Sequence, residues 1–100
     1  MSINITKENF EELVMKAEKK VLLDFWTPWC VPCRMVAPVL EEIAEEREDV
    51  IVGKVNVDEE MELAMEFGVT GIPLLVVMDH GRPVKKAIGS RSKEEIEALL

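Results

Sequence analysis

The stretch Val21-Leu22-Leu23-Asp24-Phe25-Trp26-Thr27-Pro28-Trp29-Cys30-Val31-Pro32-Cys33 decides how the rest of the chain is read. Val21 to Trp26 is apolar at five of six positions, the pattern of a central strand covered on both faces, and Asp24 is the one charge within it. The only two cysteines follow, so whatever sulfur chemistry the chain has belongs to Cys30 and Cys33. A disulfide across so short a loop is a poor staple: chain entropy gives roughly 2 kcal/mol for about four residues, against about 3 for fifteen. Structural zinc asks for four Cys or His ligands, and beyond this pair the chain has only His80 and carboxylates, so no metal site is expected. What remains is a dithiol that opens and closes, with one sulfur held as thiolate.

Outward from this stretch, short apolar runs alternate with amphipathic acidic segments, the mark of an α/β domain. Ile3 to Ile5 reads as a short strand, and Thr6 as the cap of a helix to about Glu18 with Phe10, Leu13, Val14 and Ala17 on one face. Cys33 to about Arg47 carries an apolar stripe of Val36, Val39, Leu40 and Ile43, with Pro38 inside it to bend the axis. Val50 to Val57 is rich in β-branched residues, and Asp58 is placed to cap a helix over about Glu59 to Phe67 that stops at Gly68. Leu74 to Met78 and Val84 to Ile88 form an antiparallel pair through the turn Asp79-His80-Gly81-Arg82. Ser92-Lys93-Glu94-Glu95 has capping-box form and opens a last helix with Ile96, Leu99 and Leu100 inward. The segment from Val21 to Val57 predicts a right-handed parallel crossover, with Cys30 just beyond a strand's carboxyl end, where such sheets bind ligands.

Composition narrows the function. One hundred residues, 48% hydrophobic, make a single domain over 1–100, and a net charge of -8 argues against nucleic acid or an anionic membrane as partner. The uncharged run Phe67 to Met78 is too short to span a bilayer, which takes roughly 20 residues, and includes Pro73. The first residues lack a basic region followed by an apolar one, so no secretory signal is expected. A cytoplasmic address follows, where a lone Cys-x-x-Cys is more often redox-active than structural.

Several segments together resemble the thioredoxin family: Asp24-Phe25-Trp26, Trp29-Cys30-x-Pro32-Cys33, Ala37-Pro38, Val69-Thr70-Gly71-Ile72-Pro73 and Gly89. The resemblance runs essentially end to end. It implies a thioredoxin fold, a central mixed five-stranded sheet flanked by four helices, and a general protein disulfide reductase. Such a protein binds no cofactor; its redox-active disulfide is Cys30–Cys33, re-reduced by a partner such as a thioredoxin reductase, and it acts as a monomer on disulfide-containing proteins. Two residues depart from the pattern. Val31 stands where glycine is usual and Leu74 where threonine is common, and the β-branched Val31 leaves the reduction potential open. An isomerase or oxidase, or a non-catalytic redox-active binding subunit, therefore stays as an alternative.

Cys30 at a helix amino terminus has the electrostatics of a nucleophilic thiolate, leaving Cys33, one turn further in, to resolve the mixed disulfide. A carboxylate inside an apolar strand has a raised pKa, which makes Asp24 a candidate for moving a proton. The resemblance implies that this proton belongs to Cys33 and that Lys54 modulates Asp24. It also implies a cis peptide between Ile72 and Pro73 and a substrate-docking collar of Trp29, Gly71, Ile72, Pro73, Ile88 and Gly89. Residues 25 to 33 and 67 to 78 contain no charge at all, as an apolar docking surface would. Trp26 reads as packing, and His80 as a turn residue.

Overall fold

Alternating side chains of one strand supply both cores of the molecule. The computed structural model describes residues 1–100, and β2 (Lys20–Trp26) lies at the centre of a five-stranded sheet. On its one side runs β3 (Val50–Asn56), parallel, and beyond that the short β1 (Ile3–Asn4), also parallel. On the other side runs β4 (Leu74–Asp79), antiparallel, and then β5 (Arg82–Ile88), antiparallel to β4 and at the sheet edge. The sheet is thus mixed, and the fold is the α/β arrangement that the resemblance implies.

Because side chains alternate along a strand, Val21, Leu23 and Phe25 meet Ile5, Val14, Val55, Leu63 and Val76 on one face. Leu22 instead joins Leu75 and Val77 against Val36, Leu40 and Ile43 of α1 (Val31–Glu46) on the other. Asp24 shares Leu22's parity and so points towards α1. That helix starts two residues earlier than its apolar stripe suggests, since Pro32 is tolerated in the first turn where no backbone donor is needed. It runs through Pro38 unbroken.

Two helical expectations are corrected. No α-helix spans Thr6 to Glu18; a π-helical turn covers Glu11–Met15. Thr6 and Asn9 cap each other instead: Asn9 N donates to Thr6 Oγ1 at 3.3 Å and Thr6 N to Asn9 Oδ1 at 2.8 Å. Lys16 N then reaches Glu11 O, a five-residue closure that lets Val14 be buried and Phe10, Leu13 and Ala17 pack beside it. The second correction concerns α2 (Met61–Glu66), which Asp58 does not cap. Glu60 occupies the cap position without a side-chain bond, and Asp58 is committed elsewhere.

The β4–β5 hairpin turns at His80 and Gly81, φ +51° and +79°, the two positive values that a two-residue turn matching strand twist requires. Pro83 is accommodated on the edge strand opposite Met78, next to a register shift. Finally α3 (Lys93–Glu97) has both bonds of the expected capping box, Glu95 N to Ser92 Oγ at 3.1 Å and Ser92 N to Glu95 Oε1 at 3.0 Å. Ile96 is buried against the α1 face of the sheet, with Leu99 and Leu100 beside it.

Candidate active site

Cys30 occupies the cap position of α1 and is joined to Cys33 by a disulfide, with Cα atoms 5.2 Å apart. Its Sγ accepts from the Cys33 backbone N–H at 3.2 Å. A sulfur in this position faces the unpaired donors and the positive end of a 16-residue helix, conditions that favour thiolate. Cys33 shares the helix face of Val36 and Leu40 and is turned towards the sheet. Both cysteines are buried, Cys30 at the amino-terminal cap of α1 and Cys33 one turn further in.

The turn Thr27–Cys30, closed by Cys30 N to Thr27 O at 3.3 Å, leaves Trp29 67% exposed at the surface. Its indole N–H donates to Asp58 Oδ2 at 3.0 Å, so the ring is held in place although little covers it. Asp58 was missed as a site residue, being read as a cap. It lies just past the carboxyl end of β3, beside the end of β2 that carries the cysteines, and that position was the available signal.

Opposite Trp29 the peptide between Ile72 and Pro73 is cis, as the resemblance implies. The Ile72 carbonyl oxygen lies 3.9 Å from Cys30 Sγ. Gly89, φ +96°, donates its N–H to Pro73 O at 2.8 Å, tying the end of β5 to this loop. Gly71 lies close to Ile88, since a Cβ there would stand 3.1 Å from Ile88 Cγ2 and press that side chain aside. Gly71, Ile72, Pro73, Ile88 and Gly89 therefore form one wall beside the disulfide, and Val31 and Ile88 stay more than half exposed.

Asp24 is fully buried, and neither carboxylate oxygen accepts a hydrogen bond from the chain. Burial pushes its pKa up to about 6, with the charge of Lys54 pulling it back. Lys54 is Asp24's cross-strand partner, its Nζ 3.8 Å from Asp24 Oδ2 and 4.6 Å above the Trp26 ring. The distance makes this a charge contact rather than a hydrogen bond. Replacing Lys54 with glutamine removes the opposing pull, so the Asp24 carboxyl should titrate above 6 when followed by NMR; an unchanged midpoint would remove Lys54 from the site. Trp26 Nε1 and Thr27 Oγ1 are likewise buried without a partner in the chain. His80 lies in the hairpin turn, as the sequence suggests. No group of three or more His, Cys, Asp or Glu side chains is arranged to hold a metal ion.

Comparison with known proteins agrees with this geometry. The family model described as Thioredoxin matches residues 1–100. A thioredoxin of Alicyclobacillus acidocaldarius is 49% identical over 100 residues, covering 99% of this chain and 94% of that protein. A thioredoxin of Mycobacterium bovis is 47% identical over 93 residues, covering 92% of this chain and 80% of its own length. A protein of Mycobacterium leprae named bifunctional thioredoxin reductase/thioredoxin is 46% identical over 94 residues, covering 93% of this chain and 20% of its own length. With a Cys-x-x-Cys disulfide at the start of α1, beside a cis-proline loop, and relatives of this similarity over nearly the whole chain, the protein belongs to the thioredoxin family and is a protein-disulfide oxidoreductase whose redox group is Cys30–Cys33.

Proposed function

We propose that the protein is a general reductant of protein disulfides in which Cys30 attacks, Cys33 resolves and Asp24 takes up the resolving proton. The observation that carries this reading is the position of Cys30 Sγ, at the start of α1 and alongside the free Ile72 carbonyl. A substrate segment lying extended along Ile72 brings its disulfide to Cys30. The Cys30 thiolate forms a bond to one substrate sulfur, and the other leaves as thiolate. Cys33 then loses its proton to Asp24 and attacks Cys30 Sγ; the bond from Cys30 to the attached substrate sulfur breaks, that sulfur leaves as thiolate, and the Cys30–Cys33 disulfide remains.

Asp24 suits this role because burial holds its pKa near neutrality, at about 6, and because it has the strand parity of Leu22 while Cys33 has the helix face of Val36 and Leu40, the side chains that fill the layer between the sheet and α1. Trp29, Gly71, Ile72, Pro73, Ile88 and Gly89 form the apolar docking collar, and Lys54 tunes Asp24. Residues 1–100 act as one redox unit. Two electrons and two protons per cycle come from a flavin-dependent thioredoxin reductase. The Mycobacterium leprae relative, named for both activities in one chain, supports that pairing. A cytoplasmic setting and a part in electron transport and cell redox homeostasis accord with the reducing assignment. No helix is long and apolar enough to cross a membrane.

The test is catalysis of insulin disulfide reduction with dithiothreitol as electron donor. Sub-stoichiometric protein should give many turnovers; stoichiometric capture without turnover would favour a binding subunit instead.

A further inference from the structure

Although the chain carries a net charge of -8, the stretch from His80 to Lys93 holds Arg82, Lys85, Lys86, Arg91 and Lys93 and no acid. Two of these cations border a depression of about 340 Å³ lined by Phe67, Thr70, Leu74, Lys86, Ile88 and Arg91. Arg91 Nη2 donates to Ile88 O at 2.9 Å and Lys86 Nζ to Phe67 O at 3.4 Å, so both side chains are anchored to backbone carbonyls. Neither forms an ion pair, whereas Lys93 bridges Glu42 and Glu46. Glu95 senses the charge of Arg91 but is bonded to Ser92.

The depression is continuous with the redox site. Ile88 lines it, lies against Gly71 and is followed by Gly89, whose N–H is bound to Pro73 O. Thr70 lines it two residues before Ile72, whose carbonyl lies beside Cys30 Sγ. A substrate segment passing Ile72 therefore brings its neighbouring side chains to Lys86 and Arg91. Glu11 and Glu66 border the neighbouring depression that Lys86 also lines, but neither pairs with it. A partly apolar lining beside two cations outside any ion pair fits the methylenes and carboxylate of an acidic side chain, and repels a basic one.

We propose that Lys86 and Arg91 form a subsite for a carboxylate carried by the substrate within a few residues of the attacked cysteine, making acidic disulfide segments the favoured substrates. This rests on the disulfide-reducing reading above and adds a substrate class to it. The experiment measures second-order rate constants of the reduced protein with cyclic peptide disulfides carrying Glu, Gln or Lys at successive positions around one cysteine. The reaction is quenched by alkylation and read by mass spectrometry, with the uncharged bis(2-hydroxyethyl) disulfide as reference.

At low salt, at least one position should favour Glu over Gln by about tenfold, the scale of two partly screened ion pairs. The preference should shrink at about 0.5 M salt, where screening acts over only a few ångströms. In the double variant Lys86→Ala, Arg91→Ala it should vanish while the rate with the uncharged disulfide is unchanged. Equal rates for Glu and Gln at every position, or a preference that survives in the double variant, would overturn the subsite and leave the reductase intact. Failure to reduce the uncharged disulfide would overturn the underlying reading itself.

Discussion

Replacing Cys33 with serine is expected to turn the catalyst into a trap. Cys30 can still attack a substrate disulfide, but no second thiol remains to release the product, so mixed disulfides through Cys30 accumulate. Turnover of insulin should fall by on the order of a thousandfold or more, as for other residues that act as one unit in catalysis. Cys30→Ser should lose a comparable amount of activity without trapping, because Cys33, one turn inside α1, is buried. Mass spectrometry of adducts from a reduced variant mixed with a disulfide protein separates the two. Adducts on Cys33 of the Cys30→Ser variant, and none on Cys30 of the other, would reverse the assigned roles.

The second large effect is on stability and belongs to Asp24. Its pKa is about 6 in the folded protein, against an ordinary 3.8, so between those values the folded state holds a proton that the unfolded chain has released. Stability therefore falls as pH rises from about 4 to about 6 and stays lower above that, by roughly 3 kcal/mol at about 1.4 kcal/mol per unit. Asp24→Asn removes the ionisation, so at pH 8 the variant should unfold at higher denaturant concentration than the parent, by up to this amount. Below pH 4 the two should converge. The same variant should slow the resolving step above pH 6, and a pH profile of disulfide reduction equal to the parent's would exclude the proton-transfer role. Gain of stability with loss of rate is the pattern of a residue retained for chemistry.

The sheet was legible because its signals are local. β2, interrupted only by Asp24, and β4 are buried on both faces and read as apolar runs, and the turn at His80-Gly81 and the Ser92 box announce themselves within four residues. Cys30 and Cys33 needed only their spacing, and Asp24 only its place in an apolar strand. The first helix misread for a physical reason: Phe10, Leu13, Val14 and Ala17 keep helical spacing, but the reciprocal Thr6–Asn9 bonds and a single fully buried side chain select a π turn. Asp58 misread because its partner, Trp29, lies 29 residues away and becomes a neighbour only when β2 and β3 pair. Lys86 on the edge strand and Arg91 beyond it carry no local signal, since the loop with Thr70 comes beside them only in the folded chain. The cis state of Ile72–Pro73 came from resemblance alone, since no local pattern encodes it.

Val31 bears on the direction of the chemistry more than any other residue. It is 54% exposed between the cysteines and adds apolar bulk where glycine is usual, but neither it nor Pro32 carries a charge or imidazole that would stabilise the reduced form and make the couple oxidising. A reducing couple follows, and equilibration of the Cys30–Cys33 pair with glutathione at defined ratios measures it. A potential near the family's characteristic value of about -270 mV is the expected result. A value at or above about -180 mV, in the range of isomerases and oxidases, would contradict the account.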